Sequence, residues 1–287
     1  MEGARRPGEA FPVALPMEPR LIDFHNHFVG GLQSDAAAKW PLLADEEALA
    51  RSLEGVNARV VSAPLEFVPG VPVRRVNDSI AGLIRKHPDR LVGLASVDAY
   101  GGGAAAEELT RAVKALGLRG AFMESAKDGL LPDCEQAQPA FAAAASLGVP
   151  VFLHPVPDVP LRRRFYNERF ARSTINSAAI LSMIAAGMFE KHAGLKVVVT
   201  ALALGGLLLA DRVPDGVYID TTGMKPAMLR GAFELLGTNR VVAGSDWPVV
   251  QERNLEERLS SMLSAFGLRS AERERVVAGN ARELLGT

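Results

Sequence analysis

One cysteine, Cys134, serves a chain of 287 residues, so no internal disulfide can form. That economy fits a reducing compartment, and a cytoplasmic location is expected. No run of 18 apolar residues occurs, which excludes a transmembrane helix. Met1 to Glu18 holds Pro, Gly and Arg without an apolar stretch, so neither a signal peptide nor an anchor is expected there. Net charge is close to nil, at −1, and Lys and Arg are scattered rather than striped. Nucleic acid and anionic membrane are therefore not expected as partners. The single tight basic run is Arg162-Arg163-Arg164. Gly101-Gly102-Gly103 lacks the G-x-G-x-x-G spacing of a phosphate-binding turn and reads as a flexible turn.

Apolar residues make up 48% of the chain, enough for a large core. Eight short apolar runs read as strands buried on both faces: Arg20–Phe24, Ala58–Ala63, Leu91–Val97, Leu118–Met123, Val149–His154, Leu195–Thr200, Gly216–Asp220 and Arg240–Ser245. Amphipathic stretches separate most of them, among them Asn77–Lys86, Ala104–Leu116, Gln136–Leu147 and Lys225–Leu236. Ser173–Lys191 is long and mostly apolar and reads as one helix buried on more than one side. Strand and helix alternating eight times predict an α/β fold, a single-domain (β/α)₈ barrel over residues 20–287, with residues 1–19 as a flexible extension. A doubly wound open sheet is the competing architecture; it usually carries a Gly-rich turn after its first strand, where this chain has His-Asn-His.

Histidine is scarce, with five in all, yet three of them close apolar strands. His25 and His27 stand at i and i+2 in Ile22-Asp23-Phe24-His25-Asn26-His27 and point the same way if extended. His154 closes Val149–His154, and Asp246 follows the last strand. Active sites of such barrels lie at the C-terminal strand ends, so these four side chains are expected to converge there. Imidazole nitrogen and carboxylate oxygen suit Zn²⁺, Mn²⁺ or Fe²⁺. Asp246 is expected to act twice, as ligand and as proton acceptor from metal-bound water. His87 and His192 fall in helix-to-strand loops at the opposite face and are expected to be surface residues.

With these residues in view, the chain resembles the amidohydrolase superfamily, and within it the branch that includes aminocarboxymuconate-semialdehyde decarboxylase. The landmarks are Ile22 to His27, His87-Pro88-Asp89-Arg90, Phe152-Leu153-His154-Pro155, Gly244-Ser245-Asp246-Trp247-Pro248 and Gly279-Asn280-Ala281. The resemblance runs from about Arg20 to the C-terminus. It implies one metal ion, usually zinc, on His25, His27, His154 and Asp246. The branch contains decarboxylases, hydratases and hydrolases such as lactonases. One departure stands out. Where such proteins follow the sixth strand with a histidine that holds the metal-bound water and acts as acid and base, this chain continues Thr200-Ala201-Leu202, and Ala201 takes the histidine's place. Glu124 or Asp246 is then expected to move the proton, unless the substrate brings its own acid or base group.

Four further residues are candidates for substrate contact. Trp247 can wall a planar or cyclic ligand. Glu124 follows the fourth strand. Trp40 lies in the segment 28–43, which holds Gly30-Gly31 and Pro41 and can fold over the site as a lid. Arg164, with Arg162, Arg163 and Arg172, follows the fifth strand and can meet a carboxylate. The leading expectation is a metal-dependent hydrolase acting on a small ester, lactone or amide through metal-bound water. A carboxy-lyase acting on an unsaturated or aromatic acid is the alternative. A barrel that binds its small-molecule ligand without turnover is a third reading. The exposed helix faces leave room for a homodimer, although no interface signature marks one.

Overall fold

The structure is a computed structural model that describes residues 21–156, 167–250 and 255–287. The expected extension over residues 1–19 and the run Arg162–Arg164 lie outside the described residues. The strands are β1 (Ile22–His27), β2 (Ala58–Ser62), β3 (Leu91–Gly93), β4 (Ala95–Val97), β5 (Ala121–Glu124), β6 (Val151–His154), β7 (Val197–Val199), β8 (Val217–Asp220) and β9 (Val241–Val242). All pair in parallel, as β1-β2-β3 and β4-β5-β6-β7-β8-β9.

The third expected strand is thus split at Leu94. Its first half bonds β2 and its second half bonds β5, with Leu94 N donating to Val61 O and Ala95 N to Gly120 O. The chain runs straight through, so β3 and β4 together make one barrel stave. At the other end, Phe24 N donates to Ala243 O (2.8 Å), Asp246 N to His25 O (2.9 Å) and His27 N to Trp247 O (2.8 Å). These bonds join β1 to the chain leaving β9 and close the ring. The fold is the expected α/β barrel.

Side chains alternate between two apolar compartments, as the period of two demands. Ile22, Phe24, Val60, Val92, Phe122, Phe152, Val198 and Val242 fill the inside of the barrel. Ala121, Met123, Val151, Leu153, Val197 and Val199 face outward and pack against the helices. Gly93 makes one such contact possible, because a Cβ there would stand 2.7 Å from Leu118 and 2.8 Å from Ile80 of helix Val73–Lys86. The long helix expected over 173–191 is Glu168–Ala185 followed by Met188–Lys191. Gly187, at φ +63°, breaks it in the left-handed conformation that glycine adopts without steric cost. No helix among the described residues is long and apolar enough to cross a membrane.

Candidate metal centre

The alternation that sorts the core also aims the site. Phe122 and Phe152 point inward, so Glu124 and His154, two residues on, leave the inner face at the C-terminal rim. Val198 likewise directs Thr200 inward and leaves Ala201 outward. Ala201 is buried with the outer core, while Thr200 and Leu202 line the cavity at the barrel mouth. β1 breaks the rule, since Phe24, His25 and His27 all reach the interior. Its pairing register with β2 shifts between Asp23 and Asn26, a bulge that turns the chain locally. Asn26 secures the bulge: its Nδ2 donates to Asp23 O (2.8 Å) and Val60 O (3.2 Å), and its Oδ1 accepts from Arg59. Arg59 also pairs with Asp23, and Asp23 accepts from the Ser245 hydroxyl (2.6 Å), which ties the bulge to the turn before Asp246.

The four candidate ligands therefore come together from three separate stretches of chain. Candidate ligand atoms of His25, His27 and His154 lie within 4.8 Å of one another, and all three residues are buried. The Nε2 atoms of His25 and His27 are 3.2 Å apart. Asp246 Oδ1 stands 3.5 Å from the first and 3.3 Å from the second. Asp246 reaches this place through a left-handed backbone at φ +65°, unusual for a residue with a side chain.

The outer nitrogens of the first two rings show which way their lone pairs face. His25 Nδ1 lies 2.6 Å from Asp220 Oδ2 and 3.0 Å from Thr222 Oγ1. A carboxylate only accepts, so His25 Nδ1 carries the hydrogen. His27 Nδ1 lies 3.1 Å from Ser62 Oγ, whose own hydrogen goes to Asn26 O (3.1 Å). His27 Nδ1 is thus a donor too. Both neutral rings then turn Nε2 lone pairs toward each other, an arrangement that calls for a cation between them. His154 adds a buried Nδ1 without a hydrogen-bond partner among the described residues. Three imidazoles, one of them with an orphaned ring nitrogen, and one carboxylate fit a divalent metal ion.

Electrostatics agree with the geometry. Burial, then the charges of His27 and His25, hold the His154 pKa well below its ordinary value. Burial likewise lowers His27 and outweighs the pull of Asp246. For His25 burial is opposed by Asp246 and Asp220, which together raise its pKa, so a proton settles there first when no metal competes. Burial works to raise the pKa of Asp246, but His25 and His27 outweigh it and keep the carboxyl below its usual range.

Above the histidines opens a cavity of about 300 Å³. Trp40 lines it, stacked on Phe67 with ring centroids 5.8 Å apart. Lys39, Arg169 and Arg172 bring cationic groups to the lining, and Glu168 an anionic one. Arg172 binds Pro155 O and pairs with Glu168 (3.2 Å) and Glu66 (3.5 Å), while Arg169 donates to Gly223 O (3.0 Å).

Other candidates fall elsewhere. Trp247 is buried beside Arg59, whose guanidinium lies 5.2 Å from the ring centroid, and it is not part of the cavity lining among the described residues. Glu124 turns aside to accept from Glu66 N (3.0 Å), also off that lining. Arg164 lies outside the described residues. His87 stands 3.6 Å from Glu46, and His192 bonds Gln138 (2.9 Å), both away from the centre. Sequence reasoning missed Ser62, Asp220 and Thr222, which carry no signal of their own beyond lying at or just past strand ends.

Comparison with known proteins bears on the reaction. Gamma-resorcylate decarboxylase of Rhodococcus jostii (strain RHA1) is 29% identical over 285 residues, covering 84% of this chain and 85% of that protein. The 2-amino-3-carboxymuconate-6-semialdehyde decarboxylase of Dictyostelium discoideum is 26% identical over 239 residues, covering 74% of this chain and 65% of that one. The solved dihydroxybenzoic acid decarboxylase of Polaromonas sp. JS666, with bound manganese and 2-nitroresorcinol, superposes with a TM-score of 0.79 at 22% identity, over 93% of this chain and 96% of that one. These relatives overturn the expected hydrolase, because each is a decarboxylase that breaks a carbon–carbon bond. The Amidohydrolase family model matches residues 22–287, and the chain belongs to that family.

Proposed function

We propose that this protein is a divalent-metal-dependent carboxy-lyase that removes CO₂ from a small aromatic or unsaturated acid. The observation that carries the reading is the union, in one cavity, of the His25–His27–His154–Asp246 centre with an aromatic wall and three cationic side chains. Decarboxylase relatives support it. Manganese and zinc both suit the donor set.

When bound, the ion supplies fixed positive charge that holds an anionic substrate and stabilises negative charge on it. His25, His27 and His154 keep that charge at the floor of the mouth, and Lys39, Arg169 and Arg172 favour an acid over a neutral ligand. Trp40 and Phe67 offer a flat apolar surface to a ring. The inner walls of Phe122 and Phe152 exclude water beneath. Loss of CO₂ leaves an electron pair on carbon, which must take up a proton. Asp246, 21% exposed in its side chain and facing the cavity, is the group placed to relay a proton from solvent to the carbon. The products are CO₂ and the substrate with hydrogen in place of its carboxylate. Ala201 does not enter this scheme, because its side chain faces the outer core.

The test is CO₂ release by protein loaded with Mn²⁺ or Zn²⁺ against a panel of hydroxybenzoic, aminobenzoic and unsaturated dicarboxylic acids. Metal-dependent CO₂ release from at least one acid is expected. Silence across the whole panel from metal-saturated protein would sink the reading.

A further inference from the structure

Asp220 ends β8 with its side chain fully buried. Oδ1 accepts from two backbone N–H groups, Ala201 (2.8 Å) and Thr222 (3.1 Å). Oδ2 accepts from the Thr222 hydroxyl (2.9 Å) and from His25 Nδ1 (2.6 Å). Every partner is a donor, as an ionised carboxylate requires. None of them, among the described residues, is a lysine or arginine. A buried carboxylate without a cation is costly, so its charge is balanced through the imidazole and whatever cation that ring holds.

The two oxygens do different work. Backbone N–H groups cannot rotate away, so the two on Oδ1 set the carboxylate's orientation from the fold itself. Oδ2 is thereby aimed at His25. The Thr222 hydroxyl spends its single hydrogen on Oδ2 and can only accept from the ring. Neither neighbour of Nδ1 can donate to it.

We propose that Asp220 is the positioning residue for His25: held by Ala201 N and Thr222 N, it locks the ring as the Nδ1–H tautomer and turns the Nε2 lone pair to the metal. The proposal rests on the metal centre described above and not on the identity of the reaction. It also gives Ala201 a function through its backbone, in anchoring the carboxylate, although its side chain faces away from the cavity.

Asp220→Asn is a sharp test, because the amide can match only half of the pattern. Its oxygen must stay with the two backbone N–H groups, which leaves NH₂ facing His25. The ring then accepts at Nδ1 and carries its hydrogen on Nε2, which blocks the metal. That hydrogen is well placed toward Asp246 and His27, 3.5 and 3.2 Å away, so the metal-free protein loses little. The signs therefore oppose. Mn²⁺ affinity, read by competition with a chelator, is expected to fall about 10- to 100-fold. The melting temperature of the metal-free variant is expected to equal or exceed that of the native protein. Long-range ¹H–¹⁵N spectra, recorded at a pH where the His25 ring is neutral and with His25 assigned by comparison with His25→Gln, are expected to show Nδ1–H in the native protein and Nε2–H in Asp220→Asn.

A merely structural role would lower the metal-free melting temperature and leave the tautomer alone. A neutral His25 ring with its hydrogen on Nε2 and none on Nδ1 in the metal-free native protein, or Mn²⁺ affinity in Asp220→Asn within about twofold of native, would overturn the proposal. Thr222→Val removes the shared hydroxyl and keeps the carboxylate, so it is expected to keep Nδ1–H and lose less affinity. An equal loss would make Thr222 the positioning group and overturn it too. If the native protein bound neither Mn²⁺ nor Zn²⁺ the metal reading would fail, while the tautomer of the metal-free protein would still decide the role of Asp220.

Discussion

Gly244 lies against His25: a Cβ on the glycine would stand 3.0 Å from the Cβ of the histidine and 2.9 Å from Thr222 Oγ1. The chain leaving β9 thus approaches β1 too closely for any side chain, and the closure of the barrel and the placement of a candidate ligand share one contact. Gly244→Ala is expected to push His25 and Thr222 apart. Overpacking of this kind costs about 1–3 kcal/mol. Chemical denaturation should show that loss in metal-free protein, together with weaker Mn²⁺ binding in a chelator competition. Unchanged binding would mean that the strands part without moving the histidine.

Metal is expected to stabilise the fold. Free metal at about 100 times Kd adds about 2.7 kcal/mol, and a chelator should remove it reversibly. The gain depends on pH because ligands bind deprotonated. His25 holds its proton above the ordinary 6.5, through Asp246 and Asp220 against the effect of burial. Proton competition therefore sets in above that value as pH falls and grows as pH drops through the raised pKa. Melting curves with and without Mn²⁺ across pH should converge on the acid side. A metal-induced gain that stayed constant into acid would show that the histidines do not bind the ion.

Asp246→Asn separates holding the ion from moving the proton. The amide keeps an oxygen for the centre and loses the acid. Turnover at saturating metal is expected to fall by about 10² to 10⁴, the usual contribution of a general acid or base. Stoichiometric Mn²⁺, measured by elemental analysis, should remain. If CO₂ release persisted at the native rate, the proton would have to come from another group at the mouth.

Much of this was legible in the sequence, and the parts that were not share a cause. The apolar runs mark strands because both faces are covered, so the barrel and the strand-end positions of His154 and Asp246 follow from pattern. The pairing of His25 and His27 follows from their spacing. What pattern does not carry is the chain's turn at a strand's end. By pattern Ala201 takes the inward position beside the candidate metal centre, yet β7 ends at Val199, Thr200 takes the inward side and the chain curls into the short helical turn Ala201–Ala203. The β1 bulge hides in the same way, since it depends on Arg59 from β2 and Ser245 from the far end of the chain. Asp220 closes the expected strand Gly216–Asp220, but nothing in the pattern links it to His25 until the closed barrel brings the end of β8 within reach of that ring. Trp247 follows Asp246 in sequence, but it packs under the rim against Arg59.

Glu124 offers the last test, and its sign follows from where the proton sits. It ends β5 opposite His154 in register, half-buried, with Oε1 accepting from Glu66 N at 3.0 Å. Burial first and the Glu66 carboxylate second push its pKa from 4.5 up to about 7. The folded protein therefore holds this proton more tightly than the unfolded chain. The stability it contributes is complete below 4.5 and is lost as pH climbs through about 7. At full burial such a gap corresponds to about 3 kcal/mol, and solvent screening of a half-buried group reduces it to about 1–2 kcal/mol. Glu124→Gln keeps an acceptor for Glu66 N and never ionises. The variant is expected to match the native protein at about pH 4.5 and to melt higher at about pH 8.5. Thermal melts at the two pH values decide it: an offset of the same size at both would mean that packing, and not the buried charge, sets the cost of Glu124.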